Sequence, residues 1–191
     1  MTQTQSSLHH AANVLGALSL VVADGMNTAV EAVAALGPSA PAALAAMHQF
    51  LDGGSVTQLS SVLGLSHSGT VRLVDRLVAE GLVERGGAQD GRAVSVVLTR
   101  DGRDMAARIL RTREKSLTSA LSALSAGEID NLAATLDAML TTMTLARAEQ
   151  RATRGNDRSQ PWLCRLCDFD ACGRSEGSCP VNNAVTTGDK S

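Results

Sequence analysis

Two serines and two glycines divide residues 55–81 into units that leave the backbone few choices. Ser55 is placed to cap a helix of about two turns, with Leu59, Val62 and Leu63 facing inward. Gly64 breaks that helix, and Ser66 caps a longer one that reaches Glu80 and stops at Gly81. On the longer helix Val71, Val74, Leu77 and Val78 are expected to form the apolar face, with Ser68, Arg72, Asp75, Arg76 and Ala79 opposite. Two β-prone runs follow, residues 82–85 and 93–98, joined by a turn-forming loop at 86–91. Helix, tight turn, helix and hairpin make a winged helix-turn-helix. Its second helix has the length to enter a major groove and carries Ser, Thr and Arg donors for bases and phosphates. The hairpin loop, with Arg92 near its tip, can lie along the minor groove.

The flanks read as helices. Residues 14–36 have apolar and small side chains at helical spacing and end at Gly37-Pro38, after a polar stretch at 1–7 that is expected to fray. A short helix is expected from Pro41 to Leu51. Thr99 can cap a helix over 100–124, and the capping-box spacing of Ser125 and Glu128 opens another to about Arg151. The expected fold is mainly α, with a small C-terminal metal or cluster segment ligated by cysteines. Its divisions are a dimerisation helix over 1–36, the DNA-reading unit over 37–99, dimerisation helices over 100–151, and a linker with a cysteine tail over 152–191. The 191 residues suffice for one core plus such an appendage.

Charge is segregated along the chain. Residues 1–65 hold no Lys or Arg and three acids, residues 66–115 hold ten basic and seven acidic residues, and residues 116–191 hold seven and nine. The net charge of −2 therefore conceals a positive segment over the proposed reading unit. With two Phe, one Trp and no Tyr, the chain lacks the stacking platforms of single-strand binders. Asp24, Asn27 and Glu31 interrupt the longest apolar stretch, which argues against a membrane span, and no basic region opens a signal peptide; the expected location is the cytoplasm. No Ser-His-Asp set, phosphate loop or paired carboxylates mark an enzyme. His9, His10 and His48 lack ligand spacing, and Met26, Met47, Met139 and Met143 read as packing residues.

A resemblance rests on an ordered run of motifs. Val56-Thr57-Gln58-Leu59-Ser60 and Gly64-Leu65-Ser66 lead into Thr70-Val71-Arg72-Leu73-Val74-Asp75-Arg76-Leu77. Gly81-Leu82-Val83-Glu84-Arg85, Asp90-Gly91-Arg92 and Leu98-Thr99-Arg100-Asp101-Gly102 follow. Over about residues 10–150 the sequence resembles the multiple-antibiotic-resistance regulator (MarR) family. The resemblance implies a homodimer built from the first and last two helices, reading a pseudo-palindrome in double-stranded DNA, more often as repressor than activator. Carried over by position, Ser66, Ser68, Thr70, Arg72 and Arg76 contact DNA, His67 touches a phosphate, Arg92 enters the minor groove and Asp90 orders the wing. Gly91 departs from the family pattern, which commonly has a second cation there.

All four cysteines, Cys164, Cys167, Cys172 and Cys179, fall within sixteen residues as C-x2-C-x4-C-x6-C-P. In a cytoplasmic chain that grouping points to a soft-metal site before a disulfide framework. Four thiolates satisfy an iron–sulfur cluster or a tetrahedral Zn²⁺, and a metal-free thiol switch is a third reading. The first three positions resemble a zinc knuckle without its His. The closing Cys-Pro is similar to ferredoxin ligation and to redox-sensing regulators of the mercury-resistance superfamily. Trp162, Leu163, Leu166 and Phe169 are expected to form an apolar shell around the centre. One expectation is thus a regulator whose cluster senses redox, iron or nitrosative state. Another is a repressor released by a small-molecule inducer between its first helix and winged unit, with zinc only structural. A third is a scaffold or electron-transfer protein that carries a cluster and binds no DNA.

Overall fold

The computed structural model describes residues 3–86, 95–154 and 160–188. The first helix, α1 (Gln3–Ala34), starts earlier than the sequence implies, so residues 3–7 are helical rather than frayed. It ends where Ala35 and Gly37 take positive φ, 46° and 81°. Most of α1 is exposed; Val30 and Ala34 join the core, and the helix packs along α5 (Arg100–Leu121). By length and composition α1 could cross a membrane, whereas only 6% of its most apolar stretch is buried inside the chain.

The core lies under the reading unit. Helix α2 (Ala40–Ala46) is buried at all seven positions, and its run of alanines lets α5 and the C-terminal segment approach closely. The expected helix to Leu51 changes character at Met47, where a π-helical turn (Met47–Leu51) carries the chain out of α-register. Helices α3 (Val56–Leu63) and α4 (His67–Ala79) then pack together. Strands β1 (Val83–Arg85) and β2 (Val96–Leu98) pair antiparallel with Val83 opposite Leu98, and Ser55 bridges Ser95 on the other edge of β2. Leu44, Met47, Leu59, Val74, Leu77, Val83, Val96, Leu98, Ala106 and Ile109 form one cluster at the centre.

The buried stripe of α4 is rotated from the expected one. Thr70, Leu73, Val74 and Leu77 are buried, while Val71 is half-buried and Val78 is 38% exposed. A threonine can hold a core position because its hydroxyl donates to the Ser66 carbonyl at 3.0 Å, leaving no polar atom unpaired.

Thr99 caps α5, accepting from the Gly102 amide at 3.0 Å while donating to the Gly81 carbonyl at 2.8 Å. Glu128 reaches back to the amide and hydroxyl of Ser125 at the start of α6 (Ala126–Arg154), so the capping pair read from the sequence forms. The C-terminal segment holds a 3₁₀ turn (Leu163–Leu166) and a helix the sequence reading did not include, α7 (Pro180–Gly188), which packs on α6.

Candidate nucleic-acid interface and thiol site

The reading helix is held at both ends. Ser55 and Gln58 form a reciprocal capping box on α3, the Ser55 amide donating to Gln58 Oε1 at 2.8 Å and the Gln58 amide to Ser55 Oγ at 3.2 Å. Gly64 adopts φ 66°, which turns the chain, and the Leu65 amide donates to the Ser60 carbonyl at 3.1 Å. Ser66 Oγ then accepts from the Gly69 amide at 3.1 Å to cap α4. The α3–α4 angle is therefore set by local bonds that the sequence specifies.

On the outer face Ser66, His67, Ser68, Arg72, Asp75 and Arg76 are all exposed. Arg72 makes no ion pair among the described residues. Arg76 is engaged: its Nη1 donates to the Leu36 carbonyl at 3.1 Å and ties α4 to the end of the first helical arm. Arg72 and Arg76 line a shallow cleft beside residues 37–39. Asp75 pairs with Arg85 of β1 at 2.6 Å, both groups well solvated. Thr70 faces the core instead of this surface. The expected wing residues Asp90 and Arg92 lie outside the described residues.

The cysteine segment docks against the reading unit. The Trp162 amide donates to the Val62 carbonyl on α3 at 2.9 Å, and the Phe169 amide to Gln49 Oε1 on the π turn at 3.1 Å. Phe50, also on that turn, lies between two rings, stacked on Trp162 at 6.0 Å and on Phe169 at 5.3 Å with planes within 6°. The Arg174 guanidinium covers Phe169 at 4.8 Å. From the other side, Arg147 of α6 donates to the Pro161 carbonyl at 2.9 Å. Trp162 and Phe169 thus grip α2–α3, and Leu166 packs on the core; they do more than enclose the thiols.

All four cysteines line one cavity of about 460 Å³, with Asp137, Asp170 and Glu176 at its wall. Cys179 is buried and the other three are half-buried. The Cys167 thiol donates to the Leu163 carbonyl at 4.0 Å and the Cys172 thiol to the Phe169 carbonyl at 3.6 Å. The neighbouring Cys167 thiol holds Cys164 down to about 7 against the opposing effect of burial. The Cys164 thiol and burial together push Cys167 well above the ordinary thiol range, while Arg113 and Arg165 pull the other way. Burial also raises Cys172. Among the described residues no three His, Cys, Asp or Glu side chains converge on one point. Gly173, at φ 68°, turns the loop between Cys172 and Cys179, where a side chain would collide with Ser178. Pro180 opens α7, leaving Cys179 at that helix's N-terminus with its carbonyl accepting from the Asn183 amide at 3.0 Å.

Residues 36–93 match the MarR family model. Solved structures extend the MarR likeness beyond the winged unit. A MarR family protein from Bacillus stearothermophilus, 22% identical, superposes with a TM-score of 0.64 over 75% of this chain and 99% of its own. MepR, a transcription regulator of the Staphylococcus aureus multidrug efflux pump MepA, is 16% identical with a TM-score of 0.61, over 69% and 97%. The multiple antibiotic-resistance repressor of Listeria monocytogenes is 17% identical with a TM-score of 0.57, over 74% and 98%. The chain has the fold of MarR transcription regulators. No curated protein matches it.

Proposed function

We propose that the chain is a cytoplasmic, DNA-binding transcription regulator that represses as a homodimer on a pseudo-palindromic site and performs no catalysis. The outer face of α4 carries this reading. Ser66, His67, Ser68 and Arg72 are exposed on a helix whose opposite stripe is fixed in the core. Arg72, which makes no ion pair among the described residues, supplies a cation, Arg76 acts while tied to Leu36, and Arg92 is assigned the wing contact by its position in the sequence. Duplex selected from a random pool tests it by titration. Arg72→Ala is expected to weaken binding by about 1–3 kcal/mol at a base, or to lower the salt slope by about one unit at a phosphate. Unchanged affinity and slope reject the role of Arg72. No duplex binding in the parent chain favours the scaffold or electron-transfer reading.

The dimer is supported by apolar surface that one chain leaves bare. Leu8, Val14, Leu15, Leu18 and Val21 on α1 and Ile129, Leu136, Leu140 and Met143 on α6 are all at least 40% exposed. Surfaces of that kind mark an interface.

The four cysteines are proposed to hold an iron–sulfur cluster that responds to redox, iron or nitrosative state. The cavity that all four cysteines share supports this reading. Protein purified without oxygen should be brown, with iron and sulfide in proportion to chain. A colourless sample with one zinc per chain replaces the cluster by structural zinc.

A further inference from the structure

The contacts of the cysteine segment are unevenly distributed. Beside the packing of α7 on α6 and of the 3₁₀ turn on α2, it is bonded and stacked onto the π turn and α3, the elements that carry and orient the reading helix. The Trp162 amide occupies the Val62 carbonyl in the last turn of α3. The Phe169 amide occupies the Gln49 side chain, and Phe50 is stacked between Trp162 and Phe169. Gln49 and Phe50 are adjacent on the π turn, whose altered register presents both to the segment. The 3₁₀ turn that carries Cys164 also packs on α2. Cys164 and Cys167 lie between Trp162 and Phe169 in sequence, so any rearrangement that draws the four thiols together acts on both ends of the stack.

We propose that the Trp162–Phe50–Phe169 stack, with the Gln49 and Val62 hydrogen bonds, couples the state of the four-thiol centre to DNA affinity. This rests on the reading of the chain as a DNA-binding regulator with a metal centre. A filled centre fixes the spacing of Trp162 and Phe169 and keeps them docked on Phe50. The docked segment holds α3 against α2, so the reading helix meets DNA already ordered and binding costs less conformational entropy. An empty centre leaves the spacing of Trp162 and Phe169 to the stack and its two hydrogen bonds alone. Phe50 and Gln49 are positioning residues: neither belongs to the DNA face or to the thiols.

The experiment compares the full-length chain filled with iron and sulfide, filled with Zn²⁺, and stripped by chelator under reducing conditions. Metal content, affinity for a selected duplex and amide exchange are measured in parallel. The filled parent chain is expected to bind DNA about fivefold or more tightly than the stripped chain, with slower exchange at Trp162 and Phe169. Phe50→Leu is expected to keep its metal and helical content while the affinity gap shrinks to within about twofold. Gln49→Ala, which removes only the acceptor for Phe169, should narrow the gap in the same direction and guards against a folding defect at Phe50. A gap of full size in both variants overturns the coupling, as does a parent chain whose filled form binds no tighter. Absence of metal or of DNA binding in the parent chain identifies failure of the underlying reading, and the coupling falls with it.

Discussion

At position 102 the fold accommodates a hydrogen atom and little else, because a Cβ there would run into the Leu82 carbonyl and crowd Leu98. The first turn of α5 lies directly against the start of β1, so Gly102→Ala must push α5 away from the sheet. We expect a loss of about 1–3 kcal/mol in denaturant-induced unfolding. An unchanged midpoint would mean that α5 can retreat freely. Cys164 offers a second test. In the metal-free chain the neighbouring Cys167 thiol holds it down to about 7. The thiolate is lost below that value and full well above it. Alkylation of Cys164 should therefore rise through neutrality and level off near pH 9 or below, where an ordinary thiol is still climbing. A midpoint at the ordinary thiol value would show that Cys167 does not act on Cys164. Thr70 marks what residue type alone conceals. Its hydroxyl reads as a DNA donor, and only the Ser66 carbonyl beside it reveals that the donor is used inside the helix.

The helices of the reading unit are legible because their ends are written in side chains. Ser55, Gly64, Ser66, Gly81, Thr99 and the Ser125–Glu128 pair all occur where the backbone needs a cap or a left-handed turn. Ser66→Ala should cost about 1 kcal/mol and speed amide exchange in the first turn of α4. If exchange there is unaltered, the cap is not what holds that helix end. Periodicity placed α4 but not its rotation, since the stripes through Val71 and through Thr70 overlap at Val74 and Leu77. The π turn left no signal: Met47 to Leu51 suits an α-helix equally well, and its register is set by what Gln49 and Phe50 touch more than a hundred residues away. Helix α7 was hidden by Val and Thr, poor helix formers whose helix draws on packing against α6. Pro180, which follows Cys179, is the local signal for α7, since proline suits a first helical position.

For the whole molecule, the bare faces of α1 and α6 lead to a direct prediction. Leu18 and Val21 are 54% and 69% exposed. Leu18→Asp combined with Val21→Asp should yield monomers by sedimentation and weaken binding to a two-half-site duplex more than to a single half-site. Persistence of the dimer would move the interface elsewhere. The general plan of a helical chain with a winged centre and a basic middle segment was readable in order and charge, whereas the docking of the tail was not. Its partners on the π turn precede it by more than a hundred residues, and no local pattern announces a contact of that range. The stack has one practical consequence. Trp162 and the two phenylalanines are the complete aromatic complement of the chain, with no tyrosine elsewhere. Near-ultraviolet absorption, emission and circular dichroism of the metal-free protein therefore come almost wholly from one junction. The molecule carries its own optical gauge of whether tail and reading unit are joined, and a preparation clipped ahead of Trp162 would vanish from a 280 nm trace while its winged helix remained intact.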